Sequence, residues 1–551
     1  MNETATTIDT AAPAIPRLRH TAAELDRRLF LTGVAVCTTA VAVFLLVQLD
    51  KWPPHEDEAL PLFVGRHSLG DLLDIVLARR GGAPLHFLLA WMVAHTGGGL
   101  HQMRLLSALF AIASVPVIAA LGNRLAGRGP ALAAAALASG SWILLFHGIY
   151  ARMYSLFLLL STLSYLALLY VVERGGVRRW LLWGAAMLLT IAAHQYGALV
   201  LASQGLYVLL TRSRLRQAIP AFAAVLVLAM PLWRASLVLA DRYGIGDGGG
   251  GALKTPHQVF AYLWHVAGDS STGYTGILVA VLLFALAGLC FLARDRPRSA
   301  LLVASALLTP TTFFLLGKFG GSSAPQSRHL IFLLPFFALA AGAGILGLSR
   351  FVGVHGWVVA VLVVAALISA EIAWGRHKTP ALFGSENATR VHARAEAAEW
   401  LAGTSRPDDI LFAYEPLYLA AWERNRSAVS NIVLARADAK LLLEGLDDAH
   451  KPLGRGVWAF DAGDNNNYVK RTRIEVRLPF PHREFEARAF GPFLVIRTRR
   501  PTRTIARYLD DARKAELIGK SLGMGDADIN YDTIHRAQVR LLVRSRSRVS
   551  S

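Results

Sequence analysis

Three acids in a row, Glu56, Asp57 and Glu58, follow Trp52-Pro-Pro-His just past the first long apolar run of this 551-residue chain. Carboxylates that close to a bilayer are costly and repel one another, so their presence points to a task. Clustered carboxylates raise one another's pKa. That suits Asp57, with Glu58 beside it, to take a proton from a hydroxyl near neutral pH. The plain alternative is a solvated loop whose acids cap a helix.

Cations recur at the same ends of later apolar runs. Arg104 stands in Gln-Met-Arg-Leu, Arg152 in Ala-Arg-Met-Tyr, and Ser327-Arg328-His329 opens a late run. Arginine grips phosphate through a bidentate fork, so Arg328 with His329, Lys318 and Arg152 is the candidate phosphate clamp. For Arg104 and Arg152 the competing account is snorkelling to lipid phosphate. Arg104, Tyr154, His86, His194, Tyr196 and His265 are the candidate substrate contacts, although an interfacial histidine is often only structural. Five histidines between His55 and His101 match no ligand spacing for a metal. With no phosphate-binding glycine loop or dinucleotide fingerprint either, no cofactor is expected.

The elements that must position these residues are membrane spans. The chain is 54% hydrophobic and 17% charged, and apolar blocks of roughly 17–20 residues recur up to Trp374. Arginines gather at alternate turns, among them Arg124 and Arg128, Arg178 and Arg179, Arg212 to Arg216, and Arg294 to Arg298. Sorting these to the cytoplasm gives about eleven spans and an uncleaved first span with a cytoplasmic N-terminus. The run 180–210 has basic clusters at both ends and is therefore a hairpin, turning outside near His194-Gln-Tyr-Gly197. Pro84 to Thr96 is too short to span and suits an interfacial helix, with a helix over 68–77 before it.

The formal charge of +19 is explained by these turns and not by nucleic acid. Cys37 and Cys290 lie in apolar runs and form no disulfide framework. Past Arg376, strands at 409–414, 457–460 and 493–497 and helices at 393–401 and 416–422 read as a small α/β domain. A glycine run (248–251) and a polar loop (463–468) interrupt the pattern, and an arginine-rich tail closes the chain.

In order and sidedness these motifs resemble the GT-C superfamily: an acidic pair in the first outer loop, an interfacial Pro-Leu-His helix, Met-Arg-Leu, Ala-Arg-Met, and Arg-His-Leu-Ile-Phe-Leu-Leu-Pro335. Within it they look like the branch holding protein O-mannosyltransferases and lipid A aminoarabinose transferases. The resemblance implies a sugar donor on a polyprenyl phosphate, inversion at the anomeric carbon, and transfer on the outer face without a nucleotide. Asp57 matches the family's catalytic aspartate. His86, in Ala-Pro-Leu-His, falls where the branch has Pro-Pro-Leu or His-Pro-Pro-Leu. Tyr154 stands where the family often has an aspartate, implying a different acceptor or sugar from the aminoarabinose enzymes.

The expectation is an α-helical polytopic membrane protein with a C-terminal extracytoplasmic α/β domain, in the plasma membrane. Its parts are a cytoplasmic tail (1–28), a GT-C-like membrane domain (29–375, first outer loop 50–104), the α/β domain (376–500) and a basic tail (501–551). Its partners would be a polyprenyl-phosphate-linked sugar, a hydroxyl acceptor and membrane lipids, with no nucleic acid. The competing class is a transporter or flippase, which would favour inverted repeats and mid-membrane ionisable groups.

Overall fold

The computed structural model describes residues 16–243, 253–319, 325–384, 388–413, 415–429, 431–433, 452–461 and 483–521. The glycine run, the polar loop 463–468 and the arginine-rich end lie outside these residues.

The first helix, α1 (Pro16–Gln48), exposes Leu29, Val36, Val43 and Val47 on one stripe and buries Val34, Val41 and Leu45 on another. That is the pattern of a helix with one side to lipid and one to neighbours. Three short helices follow outside the spans: α2 (Glu56–Gly65), α3 (Leu69–Asp74), continued by a π turn over Ile75–Arg79, and α4 (Pro84–His95). Then come α5 (Leu100–Ala126), α6 (Arg128–Gly140), α7 (Trp142–Ile149), α8 (Tyr154–Arg174), α9 (Val177–Ala193) and α10 (Gly197–Thr211). After these are α11 (Leu215–Leu228), α12 (Met230–Tyr243), α13 (Pro256–Asp269), α14 (Thr275–Asp295) and α15 (Pro297–Lys318). A 3-10 segment over Ser327–Leu333 leads into α16 (Leu334–Ser349), and α17 (Gly356–Lys378) ends the membrane part.

Among the described residues six stretches are long and apolar enough to cross a membrane, with Ser327–Lys378 counted as one, or up to eight if each of two bent pairs is one span. The bent pairs are α6 with α7 (56°) and α11 with α12. The protein is therefore multi-pass, and length and composition do not confirm the expected count of eleven spans. The shortfall lies in broken or short helices such as α10, which has 15 residues. The predicted turn at 194–197 is where α9 stops and α10 starts.

Lipid gives no hydrophobic drive between helices, so close packing has to supply it. The tightest crossing joins α14 to α16. A Cβ on Gly288 would stand 1.8 Å from the Ala340 carbonyl oxygen, and one on Gly344 equally close to that of Phe284.

The arginine turns meet at one end. Arg128 pairs with Asp26 at 2.5 Å, Arg124 with Glu173, Arg214 donates to the Glu173 carbonyl at 3.0 Å, and Arg296 to that of Leu125 at 3.4 Å. The opposite end carries α2–α4 and the C-terminal domain.

That domain places α18 (Ala388–Thr404), α19 (Glu415–Arg424) and α20 (Ile505–Ser521) around a five-stranded sheet. Its strands β1 (Ile410–Ala413), β2 (Asn431–Val433), β3 (Gly456–Asp461), β4 (Phe485–Phe490) and β5 (Phe493–Thr498) run in the order β2-β1-β3-β5-β4. β1 pairs parallel with β2 and β3, while β5 runs antiparallel to β3 and β4. β5 is buried along its whole length, which is why its first four residues, 493–496, read as an unbroken apolar run. One continuous core joins this domain to the outer loop: Leu60, Leu62, Phe87 and Met103 pack in the same cluster as Leu401, Leu417, Trp422 and Val495.

Candidate functional site

The site begins with how α2 starts. Pro53 and Pro54 hold the chain extended, and His55 (φ −129°, ψ 148°) then caps the helix. Its Nδ1 accepts the Asp57 N–H at 3.2 Å, while Glu58 Oε2 accepts the His55 N–H at 3.1 Å. This reciprocal cap fixes the first turn. Neighbours on a helix point about 100° apart, so Asp57 and Glu58 diverge at once.

Glu58 goes inward and is fully buried. Its oxygens take Arg104 Nε at 2.9 Å and Nη2 at 2.7 Å, and Oε1 also accepts the Ala151 N–H at 2.9 Å. Arg104 donates further to the carbonyls of Leu49, Trp52 and Pro53 at 3.3, 2.8 and 3.3 Å. The pair is a strut tying α1, α2, α5 and the Ala151 turn together. Glu58, expected to share in the chemistry, and Arg104, expected to touch substrate, have their polar atoms committed to one another and to backbone.

Asp57 points into a cleft between two guanidinium groups. Arg152 Nη1 lies 3.7 Å from Oδ1 and donates to the Asp57 carbonyl at 2.8 Å. Arg328 Nη1 lies 3.6 Å from Oδ2, and the Tyr150 hydroxyl donates to Oδ2 at 3.1 Å. Burial pushes this carboxyl up, but Arg152 and Arg328, helped by His55 and Tyr150, outweigh it and hold it well below the usual carboxylate range. The upward shift expected from clustered acids is therefore reversed, because Glu58 faces away and cations face in.

The cleft is lined by polar atoms with no hydrogen-bond partner. Arg152 Nε, Arg328 Nε, His86 Nε2 and His147 Nδ1 are all buried and unmatched. An orphaned buried polar atom, donor or acceptor, is expensive, so four of them near Asp57 suit the place to a polar ligand. Burial, then Arg152, push His86 down to about 3 against a hydrogen bond to the Ala151 backbone, so its ring is neutral. The Arg328 guanidinium rests over the Tyr154 ring at 5.3 Å. No group of three or more His, Cys, Asp or Glu side chains is placed to hold a metal among the described residues.

This arrangement can be set beside known proteins. Residues 82–233 match the family model described as dolichyl-phosphate-mannose-protein mannosyltransferase. That stretch carries His86, Arg104 and Arg152 but not Asp57 or Arg328. ArnT from Cupriavidus metallidurans in the apo state superposes with a TM-score of 0.54 at 16% identity, covering 85% of this chain and 98% of that one. The same enzyme bound to undecaprenyl phosphate gives 0.52 at 14% identity, with the same coverage. This is a GT-C fold. An oligosaccharyltransferase from Archaeoglobus fulgidus in the apo form gives 0.48 at 10% identity, covering 79% and 70%. No curated protein matches in sequence.

The remaining candidates divide. His194 stacks on Phe157 at 4.9 Å and lies 5.5 Å from Tyr154, while Tyr196 meets His329 edge-on at 5.4 Å. These rings form an aromatic bed behind Arg328 and Tyr154. His329 Nδ1 accepts the Gln326 N–H at 3.2 Å, so it caps its own segment. Lys318 ends α15 one turn past Phe314, whose ring packs on Tyr196 and His329. His265 is exposed on α13. Sequence reasoning passed over Tyr150 and His147, although both precede Arg152 by a few residues on the same outer turn. It also passed over Asp269 and Lys378, which meet only through the fold.

Proposed function

We propose that this protein is an integral-membrane, inverting glycosyltransferase that moves a sugar from a polyprenyl-phosphate donor to a hydroxyl acceptor on the outer face of the membrane. The observation that carries the reading is Asp57 flanked by two half-buried arginines, each with a buried Nε–H that meets no acceptor. The likeness to a fold that in ArnT accommodates undecaprenyl phosphate supports the donor class.

The acceptor oxygen attacks the sugar C1 opposite the lipid phosphate. The C1–O bond breaks with its electron pair going to the phosphate, and the acceptor proton goes to an Asp57 oxygen. Arg152 and Arg328 meet the charge that grows on the leaving phosphate; in a partly dry cleft such preorganised charge is worth far more than in water. In the empty site the same two cations hold Asp57 at low basicity. A phosphate anion seated on them offsets that effect, so donor binding strengthens the base. With the charge supplied by side chains, the proposal includes no cofactor, and transfer is expected to survive chelation by EDTA.

The test is release of sugar from a polyprenyl-phosphate sugar by the purified full chain. Asp57→Asn is expected to abolish transfer while expression and donor binding persist. Retained turnover would remove Asp57 from the mechanism, and movement of the intact donor across the bilayer without turnover would favour a transporter.

A further inference from the structure

Arg328 is not held by its own helix. It sits in the 3-10 segment Ser327–Leu333, which has a non-helical break at Leu330. Such a segment has weak internal hydrogen bonding, so its position must come from outside. Two side chains of α13 supply it, seven residues apart and hence on one face of the helix. The Tyr262 hydroxyl donates to the Gln326 carbonyl at 3.3 Å, and the Asp269 carboxylate accepts the Ser327 hydroxyl at 2.5 Å.

Asp269 is 4% exposed, and its other oxygen binds the Lys378 ammonium at the end of α17. Lys378 rests 3.6 Å above the Trp142 ring, and the Trp142 indole N–H donates to Thr379 Oγ1 at 2.8 Å. One carboxylate thus connects the segment bearing Arg328, the last residue of α17 and the first turn of α7.

We infer that Asp269 is a positioning residue: through Ser327 it fixes the Arg328 guanidinium in the cleft opposite Asp57, and Lys378 holds Asp269 in place. This rests on the donor reading above for its ligand but not for its geometry. A buried carboxylate accepting one charged and one neutral donor is satisfied and stiff. Removing one member of the ion pair strands the other charge, whereas removing the Ser327 hydroxyl frees only the segment that bears Arg328.

The test uses the full chain in detergent, undecaprenyl phosphate as the probe, and hydrogen–deuterium exchange over Ser327–Leu333 as a readout independent of activity. Asp269→Asn is expected to speed exchange in that segment and to weaken probe binding ~10-fold or more, the effect of losing a charge-assisted hydrogen bond. Acceptor KM should change little. Since Asp269→Asn also strands the Lys378 charge and could impair folding, Ser327→Ala serves as the second variant. It leaves the ion pair intact and should give the same two changes at roughly 3-fold. Unchanged exchange in a folded variant overturns the inference, as does faster exchange with probe affinity retained. If the parent chain does not bind the probe at all, the donor reading fails instead, and the exchange result alone decides whether Asp269 fixes the segment.

Discussion

At the scale of single residues, charge sets when Asp57 can act. In the free protein its carboxyl is held well below the ordinary range by Arg152 and Arg328. The acid limb of kcat/KM, which reports the free enzyme, should therefore lie at unusually low pH as far as this group is concerned. With donor phosphate on the arginines the group becomes more basic, so the acid limb of kcat should sit at higher pH. Coincident limbs would contradict this. His86 makes a separate contribution to stability. Its folded pKa of about 3 lies below the ordinary histidine value, so the folded state resists protonation that the unfolded chain accepts. The stabilisation is complete above the unfolded value of about 6.5, and roughly 2 kcal/mol of it is lost between pH 7 and pH 5. Thermal melts should show that fall, and His86→Gln should flatten it.

At the scale of elements, the strut between Glu58 and Arg104 makes the sharpest prediction. Both side chains are almost wholly buried, 0% and 3% exposed. Arg104→Met leaves a carboxylate buried without its partner, a loss of about 3–5 kcal/mol. Expression and melting temperature should collapse, while the double variant with Glu58→Gln recovers part of the loss; a single variant that melts like the parent would refute the strut. Much at this scale was legible in the sequence. The 194–197 turn follows from the basic clusters at both ends of one apolar run, α4 from the shortness of its run, and β1, β3 and β5 from short apolar stretches. The three-residue β2 and the more polar β4 carry too little signal, and the helix break at Ser141 has no proline beside it, whereas Pro231 marks the one at Ala229. Within the site, Asp57, Arg152 and Arg328 could be named because outer-end charges are rare. The division of labour between Asp57 and Glu58 could not, because it depends on the rotation of a single helical turn.

At the scale of the molecule, the C-terminal domain grips the outer loop. The Leu100 N–H donates to Glu423 Oε1 at 3.1 Å, and Arg426 reaches the Gly98 carbonyl at 3.3 Å. Trp422, 1% exposed, meets Phe63 edge-on at 5.1 Å, with the guanidinium groups of Arg66 and Arg426 at 4.6 and 4.7 Å. Trp422→Ala should lose about 3–5 kcal/mol. Because the core is shared, it should lower one common transition; two separated transitions, with the membrane part melting as before, would show that the units are independent. The opposed placement of the arginine turns and Asp57 could be anticipated from charge alone, whereas the shared core could not, since its two halves lie over 300 residues apart in sequence.

That shared core also limits how such proteins can be recombined. A graft that exchanges only the sheet-bearing end between two relatives would set a foreign surface against Leu62, Phe63 and Phe87, and through them against the helix whose first turn presents Asp57. The natural unit of exchange is therefore discontinuous: the end domain travels with the stretch from α2 to the start of α5, or the recipient's chemistry is disturbed along with its specificity.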